Sequence, residues 1–253
     1  METITFENIY TLGHIEYEND FYKHYHYPEM LIRYDSNFLD FKRMPSLEEF
    51  LASAVYLRDY HKKRGQKHVK FYFPENQKPT EELMNYFNQN DYQYGFSELY
   101  MIEPHQFPTV KNDPDIKIIP VNNENFDTFL KLQYEIDLEF GEEFANQKVD
   151  LHKRNFNDDN IIQVLAIYKG IPAGSVDIII SESTAEIDQL TVLETFQRKG
   201  IGSRLQRYVM DQYPNQTVIL VADGEDTPRE MYQKQNYQYL GYKYECYKVY
   251  SDK

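Results

Sequence analysis

The sequence predicts an α/β protein of two units, each a mixed, mostly antiparallel sheet flanked by helices. Three observations carry that expectation. Apolar strand runs alternate with helical periodicity along the 253 residues, the pattern of a sheet covered by helices. The stretch Leu83-Met-Asn-Tyr-Phe-Asn-Gln-Asn-Asp-Tyr-Gln-Tyr-Gly-Phe96 is echoed by Arg229-Glu-Met-Tyr-Gln-Lys-Gln-Asn-Tyr-Gln-Tyr-Leu-Gly-Tyr242, as two copies of one unit would be. Pro104, Pro108 and Pro114 crowd residues 104–114, a composition that suits a linker better than a strand or helix interior. The expected organisation is therefore 1–103, a linker at 104–114, and 115–253.

In the first unit the reading runs: a strand over 4–10, a polar aromatic helix over 14–27 ended by Pro28, and a strand over 29–34, where Met30, Ile32 and Tyr34 alternate. Ser46-Leu-Glu-Glu49 is a capping box. It opens a helix over 47–63 that buries Phe50, Leu51, Ala54 and Leu57 and is stopped by Gly65. A strand at 69–73, a helix at 80–90 and a hairpin-like aromatic stretch at 92–102 follow. In the second unit a strand at 116–121 leads to a helix at 124–139, a turn at Gly141 and a helical piece to about 155. Strands at 161–168 and 173–181 follow, then a strand at 186–192, a helix at 200–213 and a buried strand at 218–222.

Composition narrows the function. The formal charge of −14 argues against nucleic acid, whose phosphates are met with Lys and Arg, and favours cationic small molecules or basic peptides by steering. The lone Cys246 leaves no internal disulfide framework and suits a reducing cytoplasm, as a small buried hydrophobe. The acidic start and the absence of any run near ~18 apolar residues give no sign of a signal peptide or membrane span. His24 and His26 lie two apart without the further ligands a zinc site needs, so no metal is expected. The 24 Tyr and 16 Phe read as core and strand material.

The chain is organised around Gln197-Arg198-Lys199-Gly200-Ile201-Gly202-Ser203. A strand precedes it, and behind it Ile201, Leu205 and Val209 recur at the period of one buried helix face. Free N–H groups at a helix start favour phosphate, and glycine lets the backbone come close. From Thr195 to Met210 there is no acid, whereas Arg198, Lys199, Arg204 and Arg207 are basic. A Walker loop is excluded by the missing Gly-Lys-Ser/Thr, and the dinucleotide fingerprint by Leu205 where a third glycine belongs.

Gln-x-x-Gly-x-Gly, five residues after the strand-ending Val192, resembles the acetyl-CoA signature of the GNAT superfamily of N-acetyltransferases. Asp226-Thr-Pro-Arg-Glu-Met-Tyr232-Gln-Lys-Gln-Asn-Tyr237 resembles that family's final helix. The resemblance covers residues 116–250 and makes the first unit a degenerate copy, because residues 37–45 carry no glycine pair between the elements matching 186–192 and 200–213.

The resemblance implies acetyl transfer from acetyl-CoA to a primary amine by direct attack in a ternary complex. It implies that Leu190, Thr191 and Val192 hold the pantetheine arm, with the Leu190 N–H facing the thioester oxygen, and that Gln197, Arg198, Lys199, Gly200, Ile201, Gly202 and Ser203 wrap the pyrophosphate. Tyr232 is placed at the leaving sulfur. Glu186 falls where some members carry a glutamate base, and alternation sets Glu186, Asp188, Leu190 and Val192 on one strand face if no bulge intervenes. Either carboxylate, or water without a dedicated base, is the expected proton acceptor. The sequence departs from the family at Glu194, often proline there, and around Glu225 and Asp226, where an asparagine often contacts the pantetheine arm. Glu135, Asp137, Glu139, Glu142 and Glu143 on the acceptor side suit a cationic amine, and the degenerate copy is expected to shape the acceptor cleft. The competing reading is an acetyl-CoA-binding or protein-interaction module without turnover.

Overall fold

A computed structural model describes residues 3–225 and 228–251. Its elements run β1 (His14–Glu18), β2 (Tyr22–His26), β3 (Phe38–Phe41), α1 (Leu47–Lys62), β4 (His68–Tyr72), α2 (Glu81–Gln89), β5 (Gln93–Ile102), β6 (Ile116–Pro120), α3 (Phe126–Asp137), α4 (Glu142–Phe156), β7 (Ile161–Tyr168), β8 (Ile171–Ile180), β9 (Thr184–Val192), α5 (Ile201–Gln212), β10 (Thr217–Asp223), α6 (Pro228–Lys234) and β11 (Gln238–Val249). Short 3-10 turns punctuate them. By compactness the chain forms two units, one of Met1–Leu99, Ala222–Arg229 and Leu240–Lys253, the other of Tyr100–Val221 and Glu230–Tyr239. Among the described residues no helix is long and apolar enough to cross a membrane.

In the first unit the strand order is β1-β2-β3-β4-β11-β5. β1, β2 and β3 pair antiparallel, β3 and β4 parallel, and β4 and β11 antiparallel. α1 starts on a complete capping box: Ser46 Oγ accepts from Glu49 N and Glu49 accepts from Ser46 N. Phe50, Ala54 and Leu57 are buried as expected, while Leu51 faces solvent. The core joins Phe41, Phe50, Phe71, Phe73, Phe87 and Cys246, whose thiol burial pushes well up.

Five expectations fail here. Residues 14–26 form the β1–β2 hairpin in place of a helix, because Asn19 Oδ1 accepts from Phe21 N and Tyr22 N and turns the chain. Residues 29–34 turn in 3-10 fashion in place of a strand, held by Asn37, whose amide donates to Met30 O and Arg33 O. The strand before α1 is β3, so it is β3, and not residues 30–34, that corresponds to β9. Residues 4–10 hold a 3-10 turn at Phe6–Asn8, and 92–102 is one long strand with no hairpin.

The second unit has the order β10-β9-β8-β7-β6. Its neighbours are antiparallel except β9 and β10, which are parallel. The parallel pair flanking a helix therefore occurs in each unit, β3-α1-β4 and β9-α5-β10. α5 seats Ile201, Leu205, Val209 and Met210 in the core, and α3 packs Phe129 and Leu132 on Leu165.

Candidate active site

The parallel pairing of β9 with β10 runs from Thr184↔Thr217 to Ile187↔Leu220 and stops, although both strands continue. On its other edge β9 stays paired with β8 as far as Val192↔Gly174. The main chain of residues 188–192 therefore borders an open wedge on the β10 side, with amide and carbonyl groups available to an extended ligand. Within this stretch β9 carries an extra residue between Asp188↔Asp177 and Thr191↔Ser175, and Gln189 takes a left-handed φ of 49°. This is a bulge, which re-aims side chains next to the opening.

At the wedge's end the chain turns into α5. Leu193 N donates to Ala173 O at 2.9 Å, and Gln197 Nε2 donates to Val192 O at 3.3 Å, tying the turn back to the strand. Lys199 Nζ donates to Thr195 O at 3.1 Å. Arg198 and Gly200 have φ of 61° and 82°, so glycine at 200 is set by conformation. Gly200 is the N-cap and brings no side-chain cap, and the first turn of α5 holds no acid. The free N–H groups of that turn and its dipole suit an anion.

Gly202 has a different reason to be glycine. A Cβ there meets Leu190 Cδ2 and Val192 Cγ2, each at an ordinary 3.8 Å. The protein itself tolerates a side chain at that point, so the residue keeps space free above Leu190 and Val192. A cavity of about 590 Å³ adjoins the turn, lined among others by Phe107, Lys111, Lys199, Gly200, Ser203 and Gln235. Of the basic residues, Arg204 is committed to the 112–116 segment, donating to Asp113 O (2.7 Å), Ile116 O (3.2 Å) and Asn112 Oδ1 (2.5 Å). Arg207 pairs with Asp211 at 2.5 Å. Arg198 and Lys199 remain at the turn. The groups present fit a CoA ester.

Directly opposed residues of an antiparallel pair share a face. Asp188 thus stands beside Asp177, Glu186 beside Ile179 and Thr191 beside Ser175. This is the face under α3 and α4: Gln133 Nε2 donates to Ser175 Oγ at 2.7 Å, and Asn155 Nδ2 to Asp177 Oδ2 at 3.4 Å. Val192 and Gly174 belong to the other face, towards Gly202. The expectation of one face for Glu186, Asp188, Leu190 and Val192 fails at the bulge. Glu186 is buried and Asp188 half-buried.

Around them lies a polar interior that sequence reading missed. Lys148 Nζ donates to Gln189 Oε1 at 2.5 Å, and Gln189 Nε2 to Asp188 Oδ2 at 3.1 Å. His152 Nε2 meets Asp137 Oδ2 at 3.3 Å, and burial keeps its pKa low. Burial and the charge of Asp188 push the Asp177 carboxyl up to about 7. A lone aspartate inside the apolar run 171–180 was the available signal.

Tyr232 is half-buried on α6, its ring 5.0 Å from Tyr100 and 5.3 Å from Tyr237, and burial raises its phenol. α6 and its end are fastened to α5 by Gln235 Nε2 on Ser203 Oγ (3.4 Å) and Tyr237 OH on Gln206 Oε1 (2.8 Å). Asp226 lies outside the described residues.

Residues 129–237 match the Acetyltransferase (GNAT) family, and residues 4–100 match a domain of unknown function, DUF5613. The comparison with curated proteins returns no match. Among solved structures, the chain is similar to a functionally unknown conserved protein from Staphylococcus epidermidis ATCC 12228, at 34% identity over 98% of each chain with a TM-score of 0.90. It is also similar to a GCN5-related N-acetyltransferase from Kribbella flavida (12% identity, 84% of this chain and 81% of that one, TM-score 0.57). A tandem GNAT protein from the clavulanic acid biosynthesis pathway aligns at 8% identity over 85% of this chain and 76% of that one, TM-score 0.53. The last two likenesses are likenesses of fold.

Proposed function

Residues 129–237 form a domain of the GNAT acetyltransferase family, and from that match we propose that the chain transfers an acetyl group from acetyl-CoA to a primary amine by direct attack in a ternary complex. The observation that carries the reading is the open wedge between β9 and β10 ending at an uncapped, acid-free helix start, with Gly202 holding the space above Leu190 and Val192 clear.

The main chain of Leu190, Thr191 and Val192 holds the pantetheine arm, and Arg198 to Ser203 receive the diphosphate on backbone N–H groups, with Gln197 bracing the turn. The amine nitrogen attacks the thioester carbonyl, and the Leu190 N–H stabilises the oxyanion as it forms. The ammonium proton leaves beforehand to a carboxylate of the α3–α4 face, Asp188 or Glu186. The sulfur departs as a thiolate with Tyr232 donating a hydrogen bond. A phenol near 10 whose pKa is raised further by burial keeps its own proton, so Tyr232 stabilises developing charge, and the thiolate takes, through water, the second proton that the attacking nitrogen sheds as the amide forms. The charge balance of the chain favours a cationic small molecule or basic peptide as acceptor. The first copy, 1–103, has no counterpart of the glycine turn and is assigned no cofactor.

Titration calorimetry with acetyl-CoA, followed by thiol release with a panel of a polyamine, an aminoglycoside and a lysine peptide, tests this. Binding together with amine-dependent thiol release is expected. No binding, or binding without release across the panel, overturns the transferase reading.

A further inference from the structure

Asp177 is 2% exposed and stands in β8 directly opposite the half-buried Asp188 of β9. In register on its other side is Gln163 of β7, 3% exposed. Gln163 Nε2 donates to His152 O at 3.3 Å, while its Oε1 has no hydrogen-bond partner. Neighbouring buried carboxylates resist double ionisation, and one proton shared by the pair relieves it.

The groups facing the pair are few. From β9 come Glu186 and the bulge residue Gln189, whose Nε2 fixes one oxygen of Asp188. From α4 come Lys148, whose Nζ holds Gln189 Oε1, then His152 and Asn155. From α3 comes Asp137, occupied by His152. Burial and then the Asp188 charge raise Asp177 to about 7, opposed by Lys148 and by hydrogen bonds from Asn155 and Gln163.

We propose that Asp177 and Asp188 act as one proton acceptor for the incoming amine, Asp188 meeting the ammonium and Asp177, as the positioning residue behind it, sharing the proton. This rests on the acetyl-transfer reading. In the step, an N–H bond of the ammonium breaks and its electron pair stays on nitrogen, ready to attack. An O–H bond forms on Asp188, and the ionised pair goes from two negative charges to one. Glu186 stands opposite Ile179 in β8. A carboxyl raised to about 7 at Asp177 suits a reaction run near neutrality, where a lone carboxylate near 4 is a weak base.

The test combines infrared titration of carboxyl bands in D₂O with steady-state kinetics, on the full chain and on Asp177→Asn and Asp188→Asn. In the unmodified chain a protonated carboxyl band should vanish with a midpoint near pH 7; Asp177→Asn should remove that titration and Asp188→Asn should lower its midpoint. Using the panel amine that turns over best, kcat/KM should have an acid limb near pH 7. Asp177→Asn should move that limb down by at least one pH unit and lower kcat about tenfold, with KM for acetyl-CoA unchanged. Asp188→Asn, at the more exposed position, should cost over a hundredfold in kcat. A missing band near neutrality overturns the shared proton whatever the activity. A band with an unmoved acid limb in Asp177→Asn overturns its role in the reaction. A titrating band in a protein that releases no thiol overturns the transfer reading, and the proton-acceptor role with it, while leaving the shared proton standing.

Discussion

The starts of α1 and α5 are the same architectural feature built to opposite ends. Each helix follows one strand of a parallel pair and precedes the other. At α1 the orphan N–H groups are satisfied from within: Ser46 caps Glu49 N, Glu49 returns the bond, and Arg43 clamps Glu49 with two hydrogen bonds at 3.0 and 2.6 Å. Its first turn holds Glu48 and Glu49, and Arg43 holds the Glu49 carboxyl down at about 2. At α5 the cap is a left-handed glycine with no side chain to give, and the first turn has no acid. One helix start is closed by its own residues and the other has no such side-chain closure. The lesson is that a duplicated scaffold is told apart by a few residues at one turn.

Exchanging those residues is the strongest way to break the comparison. Gly202 and Glu48 are both the second residue of their helices. Gly202→Glu puts bulk and negative charge where the diphosphate is expected, and acetyl-CoA binding by calorimetry should weaken over a thousandfold, to below detection. The converse Glu48→Gly, at an exposed site, should leave affinity unchanged. Retained affinity in Gly202→Glu removes the basis for treating the two turns differently.

The interiors of the units also differ: the second buries one histidine lowered by burial, His152, offset by Asp177, so acid should cost the first unit more. The first unit buries His24, His61 and His68, which burial lowers to about 4, about 4 and about 3, and also His26. Unfolded histidine titrates near ~6.5. As pH falls from there towards 4, the unfolded chain takes protons that the folded unit refuses, so stability is lost, by at most ~1.4 kcal/mol per histidine and pH unit. The second unit buries Asp177, raised to about 7. Between an unfolded value near ~3.9 and 7 the folded state holds a proton that the unfolded chain releases, so its contribution falls as pH rises. Hydrogen exchange resolved by segment at pH 4.5 and pH 7 should show α1 and β4 losing protection in acid while β7 and β8 hold theirs. Equal losses in both units refute the assignment of these shifts to the two interiors.

Tyr232 sharpens the comparison in a smaller way, since the matching segment of the first copy, 83–96, has Tyr86 packed against Phe50 and Tyr92 in the first unit's core. Tyr232→Phe should lower kcat about tenfold, the ~1.4 kcal/mol of one hydrogen bond to a charged group, with little change in KM for acetyl-CoA. Tyr86→Phe should leave turnover alone. An unaltered kcat in Tyr232→Phe ends the case for its role at the sulfur.

What was legible in the sequence is what depends on neighbours along the chain. The capping box at Ser46, the Gln197–Ser203 turn and the echo between 83–96 and 229–242 are local patterns, and α1, α5, α2–β5 and α6–β11 stand where they pointed. What escaped depends on register. The β1–β2 hairpin turns on one asparagine side chain, and its buried residues are His24 and His26, which no apolar alternation marks. The β9 bulge reverses the face of Leu190 and Val192 relative to Asp188, an outcome visible only when β8 is laid beside β9. Asp177 shows in the sequence as a lone aspartate in an apolar run, but the cross-strand neighbours on which its proposed role rests, Asp188 and Gln163, lie on two other strands.

The smallest effect returns to the closed turn. Ser46→Ala removes the oxygen that accepts from Glu49 N and should cost ~1 kcal/mol, typical of a lost N-cap, or ~2–4 °C in Tm for a chain of this size. Because Glu49 sits at the surface, held by Arg43 as well as by the cap, the loss should not spread. Acetyl-CoA affinity should be unaltered, since a cap on α1 satisfies only the first unit's own backbone. If instead Ser46→Ala weakens acetyl-CoA binding while the melt is unchanged, the closed turn is itself part of the ligand's site and the contrast drawn between the two helix starts is wrong.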